Sequence, residues 1–265
     1  MIRPTAKLST LKFFLVDNFK SFLNIFLNSI QQKSCLFCDE TTFNKAAICS
    51  PCYADLPWNT NHCSICSLPL PNPTTASSQR SPKIVCGECI SSPPPFNIII
   101  ASFRYDIPIG KAIQMLKYHR KRYFATLFAH FLSASVRQAY QHTDLPDCLI
   151  PVPMHRTKLK LRGFNQAQLI SQKLSRQLSI PHHLTTLQKI KPTPSQTGLS
   201  KTERIRNLKK SFGLTDSVKG LHIALVDDVV TTKATSELLC TLLINAGAKR
   251  VDVWCIARTA KHSCS

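Results

Sequence analysis

Residues 222–235 read HIALVDDVVTTKAT, and they are the clearest indication of the class of fold. Residues 222–226 form an apolar run that is typical of a buried strand, and residues 235–246 have the composition of a helix. Two adjacent carboxylates, Asp227 and Asp228, lie between these two elements. A buried strand that leads through a polar turn into a helix is the repeating unit of an α/β fold.

Strands and helices alternate on both sides of this stretch. Apart from 222–226, the predicted strands are residues 98–105, 148–153, 184–190 and 251–256. Apart from 235–246, the predicted helices are residues 110–118, 123–139 and 164–178. This alternation predicts a mostly parallel sheet with helices on both faces. Ligands of such sheets bind at the carboxyl ends of the strands, where the acidic pair lies.

The polar turn after the strand has the chemistry of a ribose phosphate site. Thr231 and Thr232 open a helix, and free backbone N–H groups at a helix start bind phosphate. The carboxylates of Asp227 and Asp228 can accept hydrogen bonds from a vicinal diol. The alternative is an exposed acidic turn that only caps the helix.

Eight of the twelve cysteines form four CxxC pairs, separated by 10, 10 and 19 residues. The pairs are Cys35 and Cys38, Cys49 and Cys52, Cys63 and Cys66, and Cys86 and Cys89. Each pair can direct two thiolates at one ion, so four pairs predict two closed, structural zinc sites. One zinc with a redox or degenerate pair is the main alternative, and the usual iron–sulfur spacings are absent. Spacing does not decide which pairs share an ion, and consecutive pairing is the simpler hypothesis.

The net charge of +20 favours polyanionic partners. Residues 101–265 carry 26 basic and 9 acidic side chains, so the excess belongs to the second part of the chain. Three basic clusters stand out there: residues 119–122 with Arg120, Lys121 and Arg122, residues 156–162, and residues 201–210. They predict salt-sensitive binding of single-stranded DNA, the alternative being a solvated face. Nearby aromatic side chains could stack on bases, although we expect the last two to be buried: Tyr118, Tyr123, Phe164 and Phe212.

The sequence resembles the ComF family of competence and DNA-utilisation proteins. The resemblance runs from Cys35 to Arg258 and rests on the cysteine pairs, on RGFNQ within PVPMHRTKLKLRGFNQAQ at 151–168, on VDDVVTT, and on the closing VWCIART. Residues 222–235 resemble the phosphoribosyl pyrophosphate (PRPP) loop of type I phosphoribosyltransferases. The resemblance implies a type I phosphoribosyltransferase fold for the second part of the chain, preceded by a double zinc ribbon.

The resemblance also implies roles for individual residues. PRPP would be held by Asp227, Asp228, Thr231, Thr232, Lys233, Ala234 and Thr235. Its pyrophosphate would lie in a loop with the cations Arg156, Lys158, Lys160 and Arg162. A flap that closes over the site would contribute Arg204 and Asn207. Magnesium would be bound mainly by the phosphates and diol of PRPP itself.

Lys233 departs from the pattern of the PRPP loop, which usually reads TGxT and so has glycine at this position. Glycine lets the backbone approach phosphate closely and adopt unusual dihedral angles, whereas lysine has a side chain to place. The lysine could instead supply a cation to the phosphate. The sequence therefore does not decide whether the protein has phosphoribosyltransferase activity. The alternative function is an active phosphoribosyltransferase that transfers ribose 5-phosphate from PRPP to a nucleobase-like acceptor.

We predict three segments: an N-terminal amphipathic helix in residues 1–33, a double zinc ribbon in 34–92, and a phosphoribosyltransferase-like domain in 93–265. The sequence contains no run of eighteen or more apolar residues, so we predict no membrane span, and no signal peptide is recognisable. We therefore expect a cytoplasmic accessory of DNA uptake that binds single-stranded DNA and PRPP. A DNA-uptake helicase or channel protein is the expected protein partner. In a third interpretation the chain is an adaptor for such a partner, with a vestigial nucleotide site.

Overall fold

The computed structural model describes residues 33–44, 46–71, 84–190 and 211–260. The predicted N-terminal helix and the predicted flap residues Arg204 and Asn207 lie outside this part of the chain. The chain forms two compact units, residues 1–55 and 56–265. The boundaries predicted at 33/34 and 92/93 stay predictions.

The first unit contains one half of the cysteine pattern. Strands β1 (Lys33–Ser34) and β2 (Thr41–Thr42) pair antiparallel, and the short helix α1 (Ser50–Ala54) follows Cys49. Pro51 lies in the first turn of α1, where the missing N–H of proline costs no helical hydrogen bond. These small elements present the cysteines from tight turns.

The second unit is an α/β structure with a second short cysteine segment at its start. Its elements are α2 (Gly87–Ser91), β3 (Ile99–Arg104), α3 (Ile109–Tyr118), α4 (Tyr123–Ala139), β4 (Cys148–Pro151), α5 (Arg156–Arg162), α6 (Gln166–Leu178), β5 (Leu187–Lys189), β6 (Phe212–Leu214), β7 (His222–Val230), α7 (Ala234–Asn245) and β8 (Arg250–Arg258). Strands β3, β8, β7 and β4 form one parallel sheet in that order. Strands β5 and β6 pair antiparallel in a separate two-stranded sheet.

Helices cover both faces of the parallel sheet, as the sequence predicts. Leu238 and Leu243 of α7 pack with Ile223 and Leu225 of β7 on one face. Helices α4 and α6 pack together and against the sheet on the other face. Consecutive residues of a strand point to opposite faces, so strands covered on both sides must be apolar almost throughout. The predicted fold class is confirmed.

The structure corrects two expectations about local structure. Strand β7 does not end at Val226 but runs to Val230, because it keeps pairing with β8 as far as Arg258. The loop expected after Pro153 contains the helix α5. His155 caps its start by accepting a hydrogen bond from the Thr157 N–H, and Gly163 ends it at φ 81°, a left-handed conformation that glycine adopts readily.

A buried polar network lies near the amino-terminal ends of the central strands. The carboxylate of Asp252 is fully buried and accepts hydrogen bonds from the Tyr140 hydroxyl (2.6 Å) and from Nε of Arg250 (3.3 Å). It also forms a 3.0 Å ion pair with Arg250 and lies 2.6 Å from Nε2 of His222. Burial alone would raise the pKa of Asp252, but these hydrogen bonds outweigh it and lower the pKa. The network therefore stabilises the end of the sheet that lies opposite the predicted site.

Candidate functional site

The acidic pair lies within β7, near its carboxyl end. Asp228 is 4% exposed, and Asp227 is partly buried. The Asp228 N–H donates to Oδ1 of Asp227 (2.8 Å). Burial and the neighbouring charge of Asp228 raise the pKa of Asp227 well above its ordinary value. The site therefore contains two adjacent carboxyl groups whose negative charges repel each other. This arrangement favours ligands that bring hydroxyls or a cation.

Asp228 is the centre of a chain of polar contacts that begins on other elements. The Lys117 ammonium at the end of α3 forms an ion pair with its carboxylate. The side-chain amide of Gln166, at the start of α6, donates to Oδ1 of Asp228 (3.3 Å). Oε1 of Gln166 in turn accepts from Arg162 of α5 (2.7 Å). Sequence analysis assigned no role to Lys117 or Gln166, although Gln166 lies in the RGFNQ segment that carries the resemblance.

Arg120, Lys158 and Arg162 come together beside Lys117. These side chains, together with Tyr118 and Leu161, line one cavity of about 410 Å³. The Tyr118 ring is 70% exposed, and the Arg162 guanidinium lies 5.3 Å from its centre. Cations above an exposed aromatic ring are suited to phosphates and stacked bases. The predicted DNA cluster and the predicted pyrophosphate cluster thus meet at one cavity.

The other predicted cations lie elsewhere. Arg156 and Lys160 are exposed on α5 and do not line the cavity, because a helix presents positions four apart, such as 158 and 162, on one side. Lys121 is exposed, and the Arg122 guanidinium lies 4.9 Å from the centre of the Phe164 ring. Phe164 and Phe212 are both buried, as expected.

The predicted phosphate loop joins β7 to α7. Thr231, Thr232 and Ala234 are exposed, and Thr235 is half-buried. The first N–H groups of α7 have no acceptor within the helix and are available to an anion. Arg258 holds the other side of the loop, since its guanidinium donates to the carbonyl oxygens of Val230 (2.9 Å) and Thr231. The carbonyl groups of Val230 and Thr231 are therefore occupied, whereas the hydroxyls of Thr231 and Thr232 make no hydrogen bond to any other described residue and stay open to a ligand.

Lys233 stands at the usual glycine position without backbone strain. Its φ of −71° and ψ of −7° are ordinary helical values, so the expected need for glycine does not arise here. Its buried ammonium lies 3.0 Å from Oε1 of Glu88, 3.5 Å from Oε1 of Glu237 and 4.0 Å from Sγ of Cys89. Burial alone would lower its pKa, but these acidic neighbours raise it. A role for Lys233 toward PRPP stays a prediction.

The eight cysteines form two clusters of four, made of consecutive pairs: Cys35, Cys38, Cys49 and Cys52, then Cys63, Cys66, Cys86 and Cys89. The sulfurs of Cys38 and Cys49 are 3.6 Å apart, and those of Cys66 and Cys86 are 3.7 Å apart. Two sulfurs that each lie about 2.3 Å from one tetrahedral zinc are separated by roughly 3.8 Å. Both clusters therefore fit structural zinc.

Backbone N–H groups prepare one thiol of each cluster for metal binding. Burial alone would raise the pKa of Cys35, but hydrogen bonds from the Cys49, Phe37 and Cys38 N–H groups lower it to about 6. Against the same effect of burial, neighbouring N–H groups lower the pKa of Cys63 to about 7. Thiolate is the form that binds zinc. The remaining cysteines of the described residues, Cys148, Cys240 and Cys255, are buried in the α/β structure, as expected.

The chain is similar to a known domain family, to proteins of known sequence and to solved structures. A family model described as "Double zinc ribbon domain" matches residues 26–90. DNA utilization protein YhgH of Salmonella typhimurium is 35% identical over 214 residues, which are 80% of this chain and 90% of that protein. Competence protein F of Haemophilus influenzae is 35% identical over 65% of this chain and 78% of its own length. Among solved structures, a purine phosphoribosyltransferase from Pyrococcus horikoshii matches at 17% identity and a TM-score of 0.31, over 49% of this chain and 79% of its own.

Proposed function

The chain belongs to the ComF family, and we propose that it is an accessory of DNA uptake and utilisation that binds single-stranded DNA and PRPP. The observation that carries the proposal is the cavity around Tyr118, where predicted DNA-binding and pyrophosphate-binding cations meet beside the acidic pair. We propose cytoplasmic action and a helicase or channel protein of DNA uptake as the protein partner. No helix among the described residues is long and apolar enough to cross a membrane.

The cavity supports DNA binding through charge and stacking. Among the described residues, Arg120, Lys158 and Arg162 make no ion pair with a carboxylate, so phosphate can approach them without breaking one. Tyr118 presents an exposed ring next to these cations. Base stacking on an aromatic side chain contributes about 1 to 3 kcal/mol per base and is tolerant of sequence. These features favour binding that is salt-sensitive and independent of sequence.

The acidic pair and the open loop support PRPP binding. Asp227 and Asp228 would accept hydrogen bonds from the ribose hydroxyls, while Thr231, Thr232 and the first N–H groups of α7 would surround the 5-phosphate. The oxygen donors of the acidic pair and of PRPP suit Mg²⁺, which would screen the repulsion between the carboxylates and the phosphates. Lys117 would hold Asp228 in place from the side of the pyrophosphate.

DNA binding is tested by salt titration with a fluorescent oligonucleotide. We expect Arg120→Gln with Lys158→Gln to reduce the slope of log affinity against log salt by about 0.7 for each DNA phosphate that the protein no longer neutralises. Tyr118→Ala should weaken binding at all salt concentrations by about 1 to 3 kcal/mol and leave the slope unchanged. Lys249→Gln, an exposed lysine outside this cavity, is the matched control. Binding that is indifferent to all three cavity residues contradicts the proposal.

PRPP binding is tested by calorimetry in the presence of Mg²⁺. Replacing Asp227 and Asp228 with alanine should weaken binding by roughly 2 to 5 kcal/mol, because charge-assisted hydrogen bonds contribute about 1.5 to 3 kcal/mol each. Absence of binding to the wild-type protein at millimolar PRPP would leave DNA binding as the function. Release of pyrophosphate that depends on a nucleobase would instead support the alternative, an active phosphoribosyltransferase.

A further inference from the structure

The ammonium of Lys233 lies against the second cysteine cluster, defined as Cys63, Cys66, Cys86 and Cys89. Only 5% of the Lys233 side chain is exposed, and its Nζ lies 4.0 Å from Sγ of Cys89. Glu88, the residue before Cys89, fixes this ammonium with a 3.0 Å ion pair. A buried cation requires polar or charged partners. Among the described residues, the side-chain partners of the Lys233 ammonium are Glu88, Cys89 and Glu237.

A cation at this position stabilises a buried four-cysteine zinc site. Four thiolates around one Zn²⁺ leave two net negative charges, which are costly in a buried site. All four cysteines of the second cluster are buried, whereas Cys38 of the first is exposed to water. A lysine that donates to one thiolate offsets this charge and fixes the orientation of that ligand.

A second cation links the other cysteine pair of this cluster to the same loop. Nε of Arg258 donates to the carbonyl oxygen of Cys66 (3.2 Å), while its Nη1 donates to that of Val230 (2.9 Å). Arg258 is 4% exposed, so both contacts are made inside the protein. Each CxxC pair of the second cluster is therefore connected to the loop at 230–233 by one buried cation.

We propose that Lys233 is a positioning residue of the second zinc site, and that through it the metal in that site holds the phosphate loop in its open arrangement. The lysine at the usual glycine position is then a partner of Cys89 rather than a ligand of phosphate. The start of α7 and the second cysteine cluster are then held together, and loss of the metal from that cluster releases the loop. This inference does not rest on PRPP binding.

The first test is the ¹¹³Cd spectrum of the full chain with cadmium in both cysteine sites. Two four-sulfur resonances are expected, and Lys233→Met should shift one of them and leave the other in place. Lys233→Arg keeps the cation, so its resonance should lie close to the wild-type position. Lys249→Met should leave both resonances unchanged. If Lys233→Met does not fold, Glu88→Gln removes the anchor of the ammonium and should shift the same resonance. If both resonances keep their wild-type positions in a folded Lys233→Met or Glu88→Gln variant, the proposal is overturned.

The second test measures zinc affinity and the order of the loop separately. Competition with a chelator should show that Lys233→Met weakens one of two zinc sites by about 10- to 100-fold, the usual effect of losing a partner of a metal ligand. Amide hydrogen exchange at residues 230–236 should become faster in Lys233→Met and in Cys89→Ser, and stay unchanged in Lys249→Met. Unchanged zinc affinity, or exchange that is indifferent to both variants, refutes the link between metal and loop. Neither measurement involves PRPP or DNA.

Discussion

We predict that the ion pair between Lys117 and Asp228 contributes measurably to the stability of the α/β unit. Asp228 is almost fully buried, and its remaining side-chain donor is Gln166 at 3.3 Å, so Lys117→Met leaves a buried carboxylate without its cation. Breaking a buried pair in this way costs about 3 to 5 kcal/mol, and we expect about 3 kcal/mol because 21% of the Lys117 side chain reaches water. Asp228→Asn should cost less, since Lys117 can turn toward solvent.

A double-mutant cycle separates the pair from other effects of the substitutions. The variant with both changes should be about as stable as Asp228→Asn, which gives a coupling energy of about 2 to 3 kcal/mol. The two tryptophans of the chain, Trp58 and Trp254, both lie in the unit formed by residues 56–265, so their fluorescence during urea unfolding reports that unit alone. Lys111→Met, an exposed change on the same helix, should stay within about 0.5 kcal/mol of wild type. A coupling energy below about 0.5 kcal/mol refutes the reasoning.

Three further outcomes follow from the described contacts. Asp252→Ala should lower the free energy of unfolding by about 3 to 5 kcal/mol at pH 7. Because the folded pKa of Asp252 is lowered, its contribution is present above the unfolded pKa of about 3.9 and is lost as pH falls through the folded value; an effect that grows at low pH contradicts this. Asp227 has a raised pKa, so its ionisation destabilises the folded unit as pH rises; Asp227→Asn should raise the urea midpoint at pH 7 and flatten the pH profile, and a lower midpoint rejects this. Metal analysis should find two zinc ions per chain, and one after Cys35→Ser with Cys38→Ser; an unchanged ratio in that variant contradicts the assignment of the first cluster.

Local patterns in the sequence predict the framework because local physics determines it. The CxxC spacing predicts two four-thiol sites, and the alternation of apolar strands with helices predicts the parallel sheet. The end of β7 is not predictable in this way, since the carboxylates suggest a turn and only pairing with β8 keeps residues 227–230 extended. Helix α5 is missed because it is short and has no buried residue to produce a periodic pattern.

The partners of the site residues depend on contacts that are distant in sequence. Lys233 lies 144 residues from Cys89, and no local pattern connects a loop lysine with a cysteine turn. The same holds for Lys117, which meets Asp228 only after α3 and β7 have packed into one unit. Sequence thus predicts which residue types form the site, whereas the structure shows which of them neutralise one another.

The register of β8 against β7 also constrains the number of residues in β8. Arg258 pairs with Val230 across the two strands, and this position lets one guanidinium reach both the loop carbonyls and Cys66. An insertion or deletion of one residue within β8 would turn every later side chain to the opposite face of the sheet, and Arg258 with it. Such a change would therefore disturb the phosphate loop and the second cysteine cluster together, although it adds or removes no residue in either.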